Sequence, residues 1–398
     1  MDDAIRAAVA KYHAQAVALS DELYAHPETP GEEYRSSERI VALLRGAGYE
    51  VEYPYMGYPT GFCAVLERGE GPSAGILVEY DALPGLGHAC GHNAHGAMSV
   101  LAALALAECK ESFRGTLKVF GTPAEEADGA KLGMSARGAF DGLSLAVMIH
   151  SWSGGRSIAD MDLLSMRQYV MEFRGQSSHA VAGPWLGHSA LAAARKFLDL
   201  VDARRECFTP DLFVNSVITD GGAQPNILPG RAEVRCEFRT GSMAALERLD
   251  ETVLKCARAA AMALDCEVSW EKAFEDFRDM VRVPVLEDEA LRLLGELGQE
   301  TVPVPPANGS SDMGNVSYRC PAIQPMLSIC DEFHALHTPE HRDSTIAPKA
   351  HEAIATGALL IASLVRRTLT DDAFREEVRQ SFLARRRVKT QGSAAGEA

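Results

Sequence analysis

What these 398 residues lack narrows the reading first. Basic residues are in deficit: 39 Lys and Arg stand against 55 Asp and Glu, a formal net charge of −16. Such a field repels nucleic acid and anionic membranes, so neither is expected as a partner. The one basic cluster, Arg385 to Lys389, reads as a solvated helix face. The opening MDDAIRAAVAKYHAQAVALSDEL is an acidic-started amphipathic pattern without the charged and apolar regions of a signal peptide. No apolar run approaches the ~20 residues needed to span a bilayer. The nine cysteines are odd in number and lack framework spacing, which fits a reducing compartment, so a cytoplasmic protein is expected. No internal repeat occurs. A serine-hydrolase G-x-S-x-G is missing, since GQSSH and GSSD both depart from it. The dinucleotide fingerprint suggested by Gly85-Leu-Gly87 fails because Cys90 stands where the third glycine belongs.

What is present describes a two-domain globular enzyme. A chain of 398 residues exceeds one ordinary core, and 46% hydrophobic with 24% charged residues is an ordinary globular balance. Helical patterns at 4–25 and 33–47 precede strands at 50–53, 61–67 and 75–79, a helix from Ala94, and strands at 115–120 and 145–149, the last running out at His150. This alternation predicts an α/β sheet. From Met166 the texture changes to β-α-β-β-α-β, the ferredoxin-like split unit. The expected domains are therefore 1–165 and 275–390, forming an α/β catalytic domain, with 166–274 inserted as an α+β domain. Residues 391–398 read as a disordered tail. In the returning part the spacing predicts a polar loop at 308–315, a strand from Ile323 to Cys330 and a helix at 347–369.

Chemistry concentrates between Ala74 and His95, AGILVEYDALPGLGHACGHNAH. An apolar strand ends in a turn carrying Asp81, and His88, Cys90, His92 and His95 follow before an Ala/Leu run. Ligand sites in open α/β sheets lie in such loops. Cys90 and His92 at two-residue spacing suit zinc or a similar ion, although a lone Cys usually behaves as a small buried hydrophobe. Three later loops add ligand types: Glu125-Glu126 after the strand ending at Phe120, His150 at its strand end, and HALHTPEH with His334, His337 and His341. Adjacent carboxylates allow one to bind metal while the other remains a general base. Convergence of these loops on one crevice predicts a two-metal site.

Taken in order, HACGHNAH, GTPAEE, His150, GQSSHA, GGAQPNILPGRAEVRCEFR, GSSDMGNVS and LHTPEH resemble the metallopeptidase family of aminoacylase, carboxypeptidase G and the hippurate and auxin-conjugate amidohydrolases. The match covers about residues 10 to 370. Asn93 after the CGH and the Gly309 to Asp312 loop are similar to the aminobenzoyl-glutamate hydrolase and peptidase-domain-containing dipeptidase branch. The auxin-conjugate and hippurate branch has Asp and an SEDF-like loop there instead.

The resemblance implies a zinc-peptidase-like α/β domain with an inserted ferredoxin-like lid and dimerisation domain, acting as a homodimer. It implies two divalent ions, zinc or manganese, held by Cys90, His92, Glu126, His150 and His337. Glu125 would be the general base and Asp81 would orient a ligand. His179 would stabilise the oxyanion, and Asn226 with Arg239 would bind the substrate carboxylate. His341 stands where the related amidohydrolases have an aromatic or apolar residue, and no role is implied for it. The expected activity is hydrolysis of the amide bond of a small N-acyl amino acid or dipeptide-like substrate, aminobenzoyl-glutamate-like. Two alternatives stay open: hydrolytic removal of an amine from an aromatic substrate, and a Cys-dependent hydrolase using Cys90.

Overall fold

The computed structural model describes residues 2–391. All but the first residue of the expected tail 391–398 lies outside the described residues. Two compact units divide the chain. One is built from the residues up to 162 with 280–307 and 311–388, the other on 163–279.

The first unit is organised around a helix with no polar face. In His92–Glu108 every residue from His92 to Ala107 is buried, as an Ala/Leu run without a polar stripe requires. It begins two residues earlier than expected, because Gly91 in the left-handed region (φ 91°) turns the chain into the helix there. The helix packs on the strand Ser73–Val78 and on the helices Asp3–Ala25 and Pro348–Thr370. Gly96 permits the close approach, since a Cβ there would lie 2.4 Å from the Glu79 carbonyl oxygen. Pro348–Thr370 is long and apolar enough to cross a membrane, where the sequence reading found no such run. In the fold 67% of its most apolar window is buried.

The main sheet is ordered Glu50–Glu52, Phe62–Arg68, Gly115–Gly121, Ser73–Val78, Leu145–Val147, Ala322–Ile323. The first three strands pair antiparallel, and the last four run parallel to one another. The α/β sheet expected from the alternation is thus present, with an antiparallel edge.

Two expected strands are broken. The strand expected to reach His150 stops at Val147, and His150 instead opens His150–Trp152 in a second sheet. That sheet is ordered Thr301–Val302, Ser157–Ile158, Met326–Ser328, His150–Trp152. The strand expected from Ile323 to Cys330 splits likewise into Ala322–Ile323 in the main sheet and Met326–Ser328 in the second. Pro325 is the physical reason, because without an N–H it cannot continue a ladder. Both segments change sheets together there, the His150 N–H donating to the Pro325 carbonyl at 2.8 Å. The expected polar loop at 308–315 also closes in a short helix, Met313–Ser317.

The second unit carries the ferredoxin-like order. Ser165–Arg174, helix Ala190–Arg204, Phe213–Asp220, Arg231–Thr240, helix Met243–Ala263 and Glu267–Lys272 follow one another in the chain. The sheet is antiparallel throughout, with Arg231–Thr240 and Ser165–Arg174 central. Alternation in RAEVRCEFRT sends Ala232, Val234, Cys236 and Phe238 into a core shared with Phe197, Leu246 and Val253 of the two helices.

One buried group makes the stability of the first unit depend on pH. Asp160 is fully buried; its Oδ1 accepts the N–H groups of Met161 and Gln324, both at 2.9 Å, and Oδ2 has no hydrogen-bond partner among the described residues. Burial pushes its carboxyl from the ordinary 3.8 up to about 8. Between those values the unfolded chain has lost a proton that the folded chain keeps, so raising the pH favours unfolding. Denaturant titrations of wild type and Asp160→Asn should show wild-type stability falling relative to the variant from about pH 5 to about pH 8. A difference that does not change with pH would refute this.

Candidate metal centre

The strand Ser73–Val78 ends in Glu79-Tyr80-Asp81, and a turn closed by reciprocal bonds between Leu83 and Gly87 returns the chain to Cys90. Gly91 is forced: a Cβ there would sit 2.6 Å from the Ser151 Cβ. Cys90 and His92 therefore flank the first turn of the buried helix, and their ligand atoms lie with that of His150 inside a 4.8 Å group. Cys90 Sγ is 3.4 Å from His150 Nε2.

The loop after Gly115–Gly121 brings the two carboxylates to the same place. Glu126 Oε1 lies 3.4 Å from His337 Nε2 and 3.9 Å from His92 Nε2, and Glu125 Oε2 lies 3.9 Å from His92 Nε2. His337 arrives from the loop before Pro339–Ser344 with its backbone in the left-handed region (φ 63°), pinned by its N–H on the Ala89 carbonyl at 2.9 Å. Cys90, His92, Glu125, Glu126, His150 and His337 are thus brought together, although His150 comes from the second sheet.

Hydrogen bonds decide which nitrogen His92 and His150 offer. Asp81 Oδ1 accepts from His92 Nδ1 at 2.9 Å, and the Ser151 carbonyl accepts from His150 Nδ1 at 2.8 Å. Both acceptors lack a proton, so both Nδ1 atoms carry one and each Nε2 faces the cluster. His92 Nε2 is buried without a hydrogen-bond partner among the described residues. Burial and the charge of Glu126 hold the Cys90 thiol well above its ordinary range. Burial alone would raise the Glu126 carboxyl, but His337 and His92 pull it down to about 2. Burial and the charges of Glu79 and Asp312 hold Glu125 well above the usual carboxylate range. Cys90 is shared by two such groups, one with His92 and His150 and one with Glu126 and His337, and these sulfur, imidazole and carboxylate donors fit divalent transition ions.

A layer beneath was missed in the sequence. Glu79 Oε2 accepts from His95 Nε2 at 3.0 Å, and Oε1 accepts from Lys131 Nζ at 2.7 Å. Lys131 also donates to Asp312 Oδ1 at 2.5 Å. All four side chains are buried. Burial opposes ionisation of Glu79, but Lys131 and His95 hold its carboxyl well below the usual range. The available signal was a glutamate inside the apolar run GILVEY, which a core strand tolerates only with a partner. His341 is buried as well, neither ring nitrogen has a partner among the described residues, and burial pushes its imidazole down to about 4. Its Nε2 lies beside Gly91, 3.5 Å from where a Cβ there would be.

His179, Asn226 and Arg239 belong to the second unit. His179 Nδ1 accepts the N–H groups of Val181 and Ala182 at 3.2 and 3.0 Å, leaving the proton on Nε2. The Asn226 carbonyl accepts from Ala180 N–H at 2.9 Å in the adjoining two-stranded ribbon. Arg239 Nε donates to Glu237 Oε1 at 2.8 Å on the sheet face opposite the helices.

Residues 75–367 match the model of peptidase family M20/M25/M40. The chain belongs to that family. It is a metal-dependent hydrolase acting on carbon–nitrogen bonds. The Xaa-Arg dipeptidase of Mus musculus is 32% identical over 384 residues, covering 92% of this chain and 88% of that protein. A p-aminobenzoyl-glutamate hydrolase chain of Escherichia coli (strain K12) is 31% identical over 288 residues, covering 67% of this chain and 59% of that protein. Among solved structures, the Bacillus subtilis YXEP protein, described as a dinuclear metal binding peptidase from the M20 family, superposes with a TM-score of 0.69. That pair shares 20% identity over 90% of this chain and 99% of the other.

Lys131 holds two buried acids together, so removing it leaves uncompensated charge. Lys131→Met should lower stability by about 3–5 kcal/mol, read by thermal and denaturant unfolding. Lys196→Met, which removes an exposed cation, should change it little. Equal losses for the two would contradict the buried-network reading.

Proposed function

We propose that this member of the family hydrolyses the amide bond of a small N-acyl amino acid or dipeptide, with an aminobenzoyl-glutamate-like or Xaa-Arg substrate favoured by its relatives. The observation that carries the proposal is the convergence of Cys90 Sγ, the Nε2 atoms of His92 and His150, and Glu126 Oε1 with His337 beside it. These five residues would hold two divalent ions, zinc or manganese. When bound, the ions supply Lewis acidity toward the scissile carbonyl and lower the pKa of a water.

The remaining work falls to the chain. Asp81 holds His92 by its Nδ1–H and so fixes the ring and its tautomer. Glu125 takes the proton of the attacking water and returns it to the leaving amine. Its position beside the ligand cluster, with Oε2 3.9 Å from His92 Nε2, supports that role. His179 presents a protonated Nε2 suited to a developing oxyanion. Asn226 and Arg239 keep the substrate-carboxylate role that the resemblance implies, the guanidinium being the chemically suited clamp. A homodimer is favoured by the exposed Val181, Trp185, Leu186 and Ile227 of the second unit. Against Cys90 as a nucleophile stands its buried thiol, held protonated where a reactive cysteine needs the thiolate.

A metal-reconstituted screen over aminobenzoyl-glutamate, Xaa-Arg and β-alanyl dipeptides, and N-acetyl and indoleacetyl amino acids tests the reading. EDTA should abolish turnover, and zinc or manganese should restore it; activity that survives chelation would instead support Cys90 chemistry. Glu125→Gln should lose about 10²–10⁴-fold in kcat at unchanged metal content. Wild-type turnover in that variant would remove Glu125 from its role.

A further inference from the structure

We propose that Glu33 is a positioning residue for this reaction, its buried carboxylate fixing the backbone of Ala124 and thereby aiming Glu125. The inference rests on the reading of Glu125 as the general base.

In the sequence Glu33 reads only as part of a helix start. In the fold it directly precedes Tyr34–Gly46 yet makes no capping bond to that helix. Glu28 does so instead, its Oε1 accepting the Arg35 N–H at 3.0 Å and its Oε2 the Ser36 N–H at 2.8 Å. Glu33 is fully buried and reaches across the first unit. Its Oε1 accepts the N–H groups of Gly31 at 2.8 Å and of Ala124 at 2.9 Å, and its Oε2 accepts the Thr60 hydroxyl at 2.7 Å.

Ala124 needs such a partner. Its φ of 60° is in the left-handed region, which Ala adopts rarely. Non-glycine residues held there cost roughly 1–3 kcal/mol and persist only where surrounding contacts over-determine them. The contacts here are specific. Thr122 N–H donates to the Val78 carbonyl at 2.9 Å, and the Ala124 carbonyl accepts from Ala127 and Gly129 at 3.1 and 2.8 Å. Glu126 N–H donates to Asp81 Oδ2 at 3.0 Å. Glu33 holds the peptide before Ala124, and Asp81 holds the peptide before Glu126. Glu125 lies between these two anchors, and its side-chain direction follows from them. A displacement of 1 Å in a catalytic group is enough to cost much of a rate.

The test compares Glu33→Gln, Glu33→Leu and Glu33→Asp in the metal-loaded full chain, alongside Glu125→Gln. Gln keeps an oxygen acceptor for Ala124 and should retain kcat within about threefold of wild type. Leu removes the acceptor, and Asp keeps the charge but shortens the reach. Both should lose at least tenfold in kcat at unchanged KM and metal content, with faster hydrogen exchange at the Ala124 amide. Asp serves if the Leu variant does not fold. A folded Leu or Asp variant with wild-type kcat would overturn the proposal. So would a Gln variant as impaired as Leu, since the acceptor would then not be what matters. If Glu125→Gln remains active, the base assignment fails, while Ala124 exchange still reports whether Glu33 fixes the loop.

Discussion

His92 and His150 each have one ring nitrogen spoken for, and the centre depends on that constraint. Asp81 takes the Nδ1 proton of His92 and the Ser151 carbonyl takes that of His150. An imidazole so held can neither flip nor change tautomer without losing a buried hydrogen bond. The free nitrogens are thereby committed to the point where Cys90 and Glu126 also arrive. His95 is fixed by the same logic with the opposite outcome. Ser151 N–H donates to its Nδ1 at 3.1 Å, so its Nε2–H turns to Glu79 and not to the cluster. Neighbouring histidines on one helix are sorted into a ligand type and a support by what their Nδ1 atoms meet.

The same economy governs the carboxylates. Side chains from three separate segments, Glu33, Asp81 and Asp312, each accept a backbone N–H from the stretch Ala124 to Lys131. Acids anchored elsewhere in the core thus tie this loop down at three points. Lys131 offsets part of the charge of Glu79 and Asp312, and Glu126, held low by His337 and His92, carries negative charge at the cluster. A region built this way attracts a cation whether or not any single ligand is strong.

Much of this was legible in the chain as a string of residues. Period and composition located the buried helix after His92, the split β-α-β-β-α-β unit and the ordered set of His, Cys and Glu loops. Those signals are local: an apolar stripe, an alternation and a two-residue spacing each state their physics within a few positions. The single-strand readings of 145–150 and 323–330 failed at Pro325, because an apolar run does not record which of two sheets it will join.

Sequence alone therefore determined which groups are available: the ligand types, the strand-to-helix loops that carry them and the acidic balance around them. Tertiary structure alone decided how they are used. The pairings of Glu33 with Ala124, Asp81 with His92, and Lys131 with Glu79 and Asp312 join residues far apart in the chain. Nothing local favours them. They exist because a buried charge or N–H must find a partner inside the fold, and the partner is whichever group the packing of sheets and helices sets beside it.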